Sequence, residues 1–97
     1  MRTIAETEHF LLKYADQKID VGSADDGFAY GYLSGHISVV AAECEVNHRL
    51  DLMDTLSQAL QTHKQELTPA DQALVNQAWG NLQQALESDL CEAVTHD

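Results

Sequence analysis

Basic residues are scarce in this sequence, which has 5 Lys and Arg against 16 Asp and Glu and a formal net charge of −11 over 97 residues. Proteins that bind nucleic acid neutralise its phosphates with Lys and Arg, and the same residues attract proteins to anionic membranes. The shortage therefore argues against direct binding to nucleic acid or to a membrane. It also argues against general attraction of anionic substrates.

Long apolar runs and cysteines are equally rare. No stretch reaches the roughly 18 uninterrupted apolar residues of a membrane span, and the N-terminus lacks the apolar segment of a signal peptide, so we expect a cytoplasmic protein. Cys44 and Cys91 are the only cysteines. In a reducing compartment they are expected to be buried thiols, although a disulfide between them stays open as an alternative.

A single proline and a hydrophobic fraction of 44% exclude a disordered acidic tail. Apolar residues recur at helical spacing in four segments, and capping residues mark where helices begin. Thr68 is the clearest of these signals, because Pro69 and Asp71 follow it. The sequence predicts one all-α domain over residues 1–97, a small four-helix bundle with helices over about 4–17, 25–45, 48–65 and 69–93.

The second helix is unusual because no residue from Phe28 to Ala42 carries a formal charge when His36 is neutral. Apolar residues occur on every side of it, which is typical of a helix buried on more than one face. A chain of this length has few elements with which to surround such a helix. A second copy of the chain is therefore a candidate to complete the bundle by homodimerisation. The residues predicted for self-association are Gly27, Tyr30, Gly31 and Gly35.

The three glycines of this helix are spaced by four residues each. Glycine in a helix costs about 1 kcal/mol relative to alanine, so a stripe of three indicates close approach of another backbone. That backbone belongs either to helices one or four of the same chain or to a second subunit. A third alternative is that this segment is not helical.

Sequence motifs for chemistry are missing. Cys44 and His48 are four residues apart and would share one helix face, but no second pair completes a metal site. The paired carboxylates lie in polar segments and are typical of solvated faces, without the contrasting environments of an acid–base pair. We therefore predict no catalytic residue, no metal and no cofactor, and a protein that is not an enzyme.

The acidity itself has two interpretations. One is plain solubility, and the other is electrostatic complementarity to a basic partner, with carboxylates along rigid helices presenting a charge density comparable to that of DNA. Under the second interpretation, the partner-binding residues are predicted to be Asp25, Asp26, Glu43, Glu45, Asp51 and Asp54.

The run from Phe28 to Ile37, followed by Val46 and the Asp51-Leu52 region, resembles a pattern in small phage and prophage proteins. In that pattern, a helix carrying GY-x-x-G precedes a turn and an amphipathic helix. Size, acidity and helical content are also similar to those of anti-CRISPR and other phage anti-defence proteins. The resemblance implies an inhibitor that binds a host nuclease or CRISPR-type complex and needs no cofactor.

We therefore expect a non-enzymatic inhibitor or regulator that binds a basic, nucleic-acid-handling protein through its acidic surface. The alternative is a small dimeric helical module whose contacts are mainly hydrophobic and run through the second helix.

Overall fold

A computed structural model describes residues 3–49 and 51–95 of the chain, and the side chains of those up to Asp89. Within these ranges there are four α-helices, one 3-10 turn and no strand, so the all-α prediction is confirmed. The elements are α1 (Ile4–Val21), α2 (Ala24–Val46), α3 (Leu52–His63), the 3-10 turn (Lys64–Glu66) and α4 (Pro69–Thr95). Homodimerisation stays a prediction.

Capping boxes fix the starts of the first two helices. The Thr3 hydroxyl accepts the amide hydrogen of Glu6, and the Glu6 carboxylate accepts that of Thr3, both at 3.1 Å. Ser23 and Asp26 make the same reciprocal pair at the start of α2. Each box satisfies two amide groups that have no partner inside the helix.

Two helix boundaries differ from the sequence-based ranges by four residues, and the others agree to within two. The first helix runs on to Val21, where the Gly22 amide donates to the Lys18 carbonyl. The third helix begins at Leu52 rather than near residue 48, because His48 adopts a left-handed conformation with φ 55°. Cys44 and His48 therefore do not share a helix face, since His48 lies beyond the end of α2.

α2 is the central element of the fold. It packs against α1, α3 and α4, and α1 also packs against α4. The core is built around its inward residues, and Cys44 among them is a buried free thiol, as predicted. The side chain of Cys91 lies outside the described residues. The Cα atoms extend over 43 × 31 × 17 Å, so the molecule is a thin plate. In so thin a molecule, one side of the central helix is left without cover from its own chain.

Tyr30 belongs to the core and not to a self-association surface. Its side chain is 2% exposed, its ring centroid lies 6.2 Å from that of Tyr14, and its hydroxyl accepts a hydrogen bond from Asn81 at 3.2 Å. The residue thus joins α1, α2 and α4. The prediction that Tyr30 lies on a self-association surface was wrong. Consecutive residues project about 100° apart from a helix, so Tyr30 faces the core while Gly31 next to it is exposed.

Candidate functional site

The outward face of α2 carries a row of apolar and small residues, which we call the α2 stripe. Its members recur every three or four residues and are Phe28, Gly31, Gly35, Val39, Ala42 and Val46. Phe28 is 40% exposed, Val39 59% and Val46 77%. The core residues of α2 lie on the opposite side of the same helix. An exposed apolar row on a rigid element is typical of an interaction surface.

The glycines of α2 serve no contact inside the chain. A Cβ atom built at Gly27, Gly31 or Gly35 meets no atom within 4 Å outside the helix's own backbone. Close packing against α1 or α4 is therefore excluded as their explanation, and so is the non-helical alternative. Gly31 and Gly35 are exposed in the α2 stripe, whereas Gly27 is half-buried.

A shallow groove of about 470 Å³ adjoins the α2 stripe, and we call it the α2–α3 groove. Tyr32, His36 and Glu43 line it from α2, while Ala59 and His63 line it from α3. Gly31, Gly35 and Val39 belong to both the stripe and the groove. The two features therefore form one continuous surface.

Aromatic rings follow one another along this surface. The ring of Tyr32 lies 6.3 Å from that of Phe28 and 4.5 Å from that of His36, centroid to centroid. The His36 and His63 rings meet edge to face at 5.4 Å. The contact between His36 and His63 joins α2 to the end of α3.

Each of the two histidines makes one hydrogen bond through a ring nitrogen. Nδ1 of His36 donates to the Tyr32 carbonyl at 3.1 Å, and Nδ1 of His63 donates to the Glu66 carboxylate at 3.1 Å. In a neutral imidazole, the other nitrogen is then an acceptor. These hydrogen bonds hold both rings in place along the groove.

Tyr32 carries a buried hydroxyl for which no hydrogen-bond partner exists among the described residues. Burial raises the pKa of the Tyr32 hydroxyl, and the Glu66 carboxylate raises it further. Leaving a buried polar group unpaired costs about 1–3 kcal/mol. The unpaired hydroxyl therefore lowers the stability of the free chain.

The six carboxylates predicted to bind a partner do not form one patch. Asp25 and Asp26 lie in the first turn of α2, and Asp26 is engaged in the capping box. Glu43 and Glu45 are exposed near the other end of the helix, about 30 Å away at 1.5 Å per residue. Glu43 is the one of the six that lines the α2–α3 groove.

The remaining two lie at the start of α3. Asp51 precedes α3 and is paired with Arg49, whose Nη2 donates to it at 2.8 Å. The hydrogen bond from Arg49 holds the pKa of Asp51 below its usual range. Asp54 is exposed in the first turn of α3. The charge of Asp51 is therefore already offset, and Asp54 is the freer of the two.

Sequence reasoning missed Val39, Val46 and His63 as surface residues of this site. The spacing of Val39 and Val46 from Phe28 was a usable signal, because it repeats with the period of a helix. The sequence contained no comparable signal for His63, because its position depends on how α3 packs on α2. No group of three or more His, Cys, Asp or Glu side chains within the described part is placed to hold a metal ion. In the same part, no helix has the length and hydropathy needed to cross a membrane.

Comparison with known proteins matches most of this chain to one family. Residues 5–84 match the family described as "YfcL protein". The chain is also 42% identical over 84 residues to "Uncharacterized protein YfcL" of Escherichia coli strain K12, which covers 81% of this chain and 91% of that protein. No solved structure matches the chain.

These matches correct the resemblance to phage and prophage anti-defence proteins, which was wrong. The matched family and relative carry no phage or anti-CRISPR description, and the relative is a bacterial protein. Small size, acidity and helical content follow from composition and occur in many unrelated proteins, and GY-x-x-G is too short to identify a family. A CRISPR-type partner loses its basis, because only that resemblance implied it.

Proposed function

The chain belongs to the YfcL family, and from its surface we propose that it is a non-enzymatic binding protein that docks a basic partner protein on the outward face of α2. The single observation that carries the proposal is the α2 stripe, an exposed apolar row in a chain of net charge −11. The proposed place of action is the cytoplasm, and a free thiol at Cys44 accords with a reducing compartment.

Charge favours a basic partner over a neutral one. The α2 sequence contains Asp25, Asp26, Glu43 and Glu45 and has no Lys or Arg. The apolar stripe is therefore flanked at both ends by carboxylates. A helix with an apolar centre and basic ends would bury the stripe and meet opposite charge at each end, which increases both specificity and association rate. Proteins that handle nucleic acid have such basic surfaces, and occupying one would inhibit or regulate that protein.

The proposal is tested by capturing partners from an extract of the native cell with three forms of the chain. These are the wild type, Val39→Asp in the α2 stripe and Val21→Asp as a matched control. Val21 ends α1, is 83% exposed and lies outside the stripe, so both variants place the same new charge on an exposed helical valine.

We expect the wild type and Val21→Asp to capture the same partner, and Val39→Asp to capture at least about tenfold less of it. The new carboxylate would be buried in the interface without a hydrogen bond or an opposite charge. Retention should also weaken as salt rises, since screening reduces attraction between opposite charges. Equal capture by Val39→Asp and the wild type would contradict the proposal.

A second candidate function is a homodimeric module, and the order of residues in the α2 stripe favours it. An antiparallel pair of α2 helices crossing at Gly35 would place Gly35 opposite its own copy. It would also set Val39 opposite Gly31 and Phe28 opposite Ala42. Each large side chain then faces a small one, and the opposed helix dipoles attract. Here the contacts are hydrophobic, and the flanking carboxylates oppose binding.

A further inference from the structure

We propose that the α2–α3 groove binds an arginine side chain, presented by an amphipathic helix whose apolar residues pack on the α2 stripe. This inference rests on the proposed function and gives the chemistry of the partner. Glu43 and the rings of Tyr32, His36 and His63 line the groove. A guanidinium is a planar cation with five donors, and these groups offer it charge, acceptors and ring faces.

The groove provides acceptors without competing cations. Neither Lys nor Arg lines it among the described residues. His36 and His63 each use Nδ1 as a donor to a neighbouring oxygen, which leaves Nε2 of the neutral ring as an acceptor. Glu43 lines the groove, and the Glu66 carboxylate lies behind it, bonded to the ring of His63. Glu43 therefore supplies a charge opposite to that of a bound cation, whereas Lys64 offsets Glu66 within the 3-10 turn.

Aromatic rings supply the second element of arginine recognition. The rings of Tyr32 and His36 are tilted by 36° with their centroids 4.5 Å apart, and both residues line the groove. Guanidinium groups stack on such planes and gain from the charge distribution of the ring.

The length and spacing of the α2 stripe favour a helix as the element that presents the arginine. From Phe28 to Val46 the stripe extends along about 27 Å of straight helix, which matches the i, i+3, i+4, i+7 residues of a docked helix. Gly31 and Gly35 border the groove and leave open space above them. A partner helix can therefore approach closely at the point where its arginine enters.

A second copy of this chain is a poor source of that arginine. The sequence contains Arg2 and Arg49. Arg49 is already bonded through two nitrogens to Asp51, and Arg2 lies outside the described residues. The described surface of a second copy thus offers no arginine without breaking this pair. The chemistry of the groove favours a different protein.

Two synthetic probes test the inference on the full chain. Both are helical peptides with one row of leucines and with glutamine and alanine elsewhere. One carries a single arginine beside the leucine row, and the other carries citrulline, which has the same shape without the charge. Binding is measured by fluorescence anisotropy. We expect the wild type to bind the arginine peptide about tenfold more tightly, since hydrogen bonds to charged groups are the stronger ones.

Matched variants separate the groove from the overall charge. The double variant Glu43→Gln and Glu66→Gln should lose the preference for arginine. The control double variant Glu8→Gln and Glu87→Gln changes the net charge by the same amount, but on α1 and α4, away from the groove. This control should keep the preference for arginine. Circular dichroism checks that both variants remain helical.

Equal affinity for the two peptides, or binding of neither, would overturn the inference, as would equal losses in the two double variants. The Val39→Asp variant tests the proposed function separately from the arginine preference. If that variant loses the citrulline peptide as well, the stripe is a docking surface even when the arginine preference fails. If Val39→Asp binds both peptides as the wild type does, the proposed function fails.

Discussion

His48 decides the direction in which the chain leaves α2. Its φ of 55° is the one positive value among the non-glycine residues described. Its amide donates to the Glu45 carbonyl at 3.3 Å, and the Arg49 amide donates to the Cys44 carbonyl at 2.8 Å. This pair of hydrogen bonds is the Schellman motif, in which glycine is the usual residue at the left-handed position. A histidine there bears a steric cost of about 1 kcal/mol.

Replacing this histidine should stabilise the protein. We predict that His48→Gly raises the free energy of unfolding by up to about 1 kcal/mol, because glycine adopts the left-handed conformation without strain. The measurement is urea denaturation followed by circular dichroism. Asn47→Gly is the control, since Asn47 has φ −93° and gains nothing from glycine there. A comparable gain from Asn47→Gly would show that the left-handed conformation is not responsible.

The sequence-based ranges left a break between residues 45 and 48 but placed the next helix too early. Asn47 is of a residue type common at helix ends, whereas a histidine at position 48 does not by itself indicate a left-handed conformation. The spacing of four residues suggested that Cys44 and His48 shared a helix face, but α2 ends before His48. A residue whose conformation opposes its own preference is held by the hydrogen bonds around it, and these form only in the folded chain.

Among the helices, α2 has apolar residues on all sides, and its glycines weaken it without improving any contact inside the chain. Gly35 is exposed, and a Cβ atom there meets open space. Gly22, between α1 and α2, is the opposite case, because a Cβ atom there would lie 2.5 Å from the Lys18 carbonyl oxygen and from the Asp26 carboxylate. The same substitution should therefore have opposite effects at the two positions.

We predict that Gly35→Ala raises the free energy of unfolding by about 1 kcal/mol, whereas Gly22→Ala lowers it. Thermal or urea unfolding of the two variants beside the wild type gives the signs directly. Under the proposed function, Gly35→Ala should also weaken partner binding while it stabilises the free chain. Destabilisation by Gly35→Ala would mean that its surroundings are more crowded than described.

The number of helices and the Thr68 cap of α4 followed from residue spacing and residue type, but the outward side of α2 did not. A helix that is apolar all round contains no amphipathic signal to orient it. Tyr30 and Gly31 were consequently grouped on one surface, although one is buried and the other exposed. The groove was beyond sequence reasoning, because it depends on the contact of His36 with His63 across two helices.

At the scale of the whole molecule, the net charge of −11 opposes any association between copies. Two acidic chains that approach along the α2 stripe bring like charges together at the ends of α2, where the sequence places its four carboxylates. Salt screens this repulsion, with a Debye length of about 10 Å at 0.1 M. A basic partner and a second copy should therefore respond to salt in opposite directions.

If the homodimer forms, we predict that its fraction in sedimentation equilibrium increases from low to high salt, whereas complexes with a basic partner dissociate. Gly31→Leu should abolish the dimer by filling the space that Val39 of the other copy would occupy, and reversing the charge of Asp54 should change it little. A wild type that stays monomeric at every salt concentration would remove the homodimer as a function.

The position of α2 at the centre of the plate has a consequence for how much of this protein a cell retains. Since α1, α3 and α4 all pack on α2, a molecule that loses α2 loses most of its core at once, so unfolding is expected to be all-or-none. A partner bound to the outward face of α2 then protects the entire chain, by about 2.7 kcal/mol at a concentration one hundred times its dissociation constant. The abundance of the protein would follow that of its partner, because unbound chains are the ones that proteases reach.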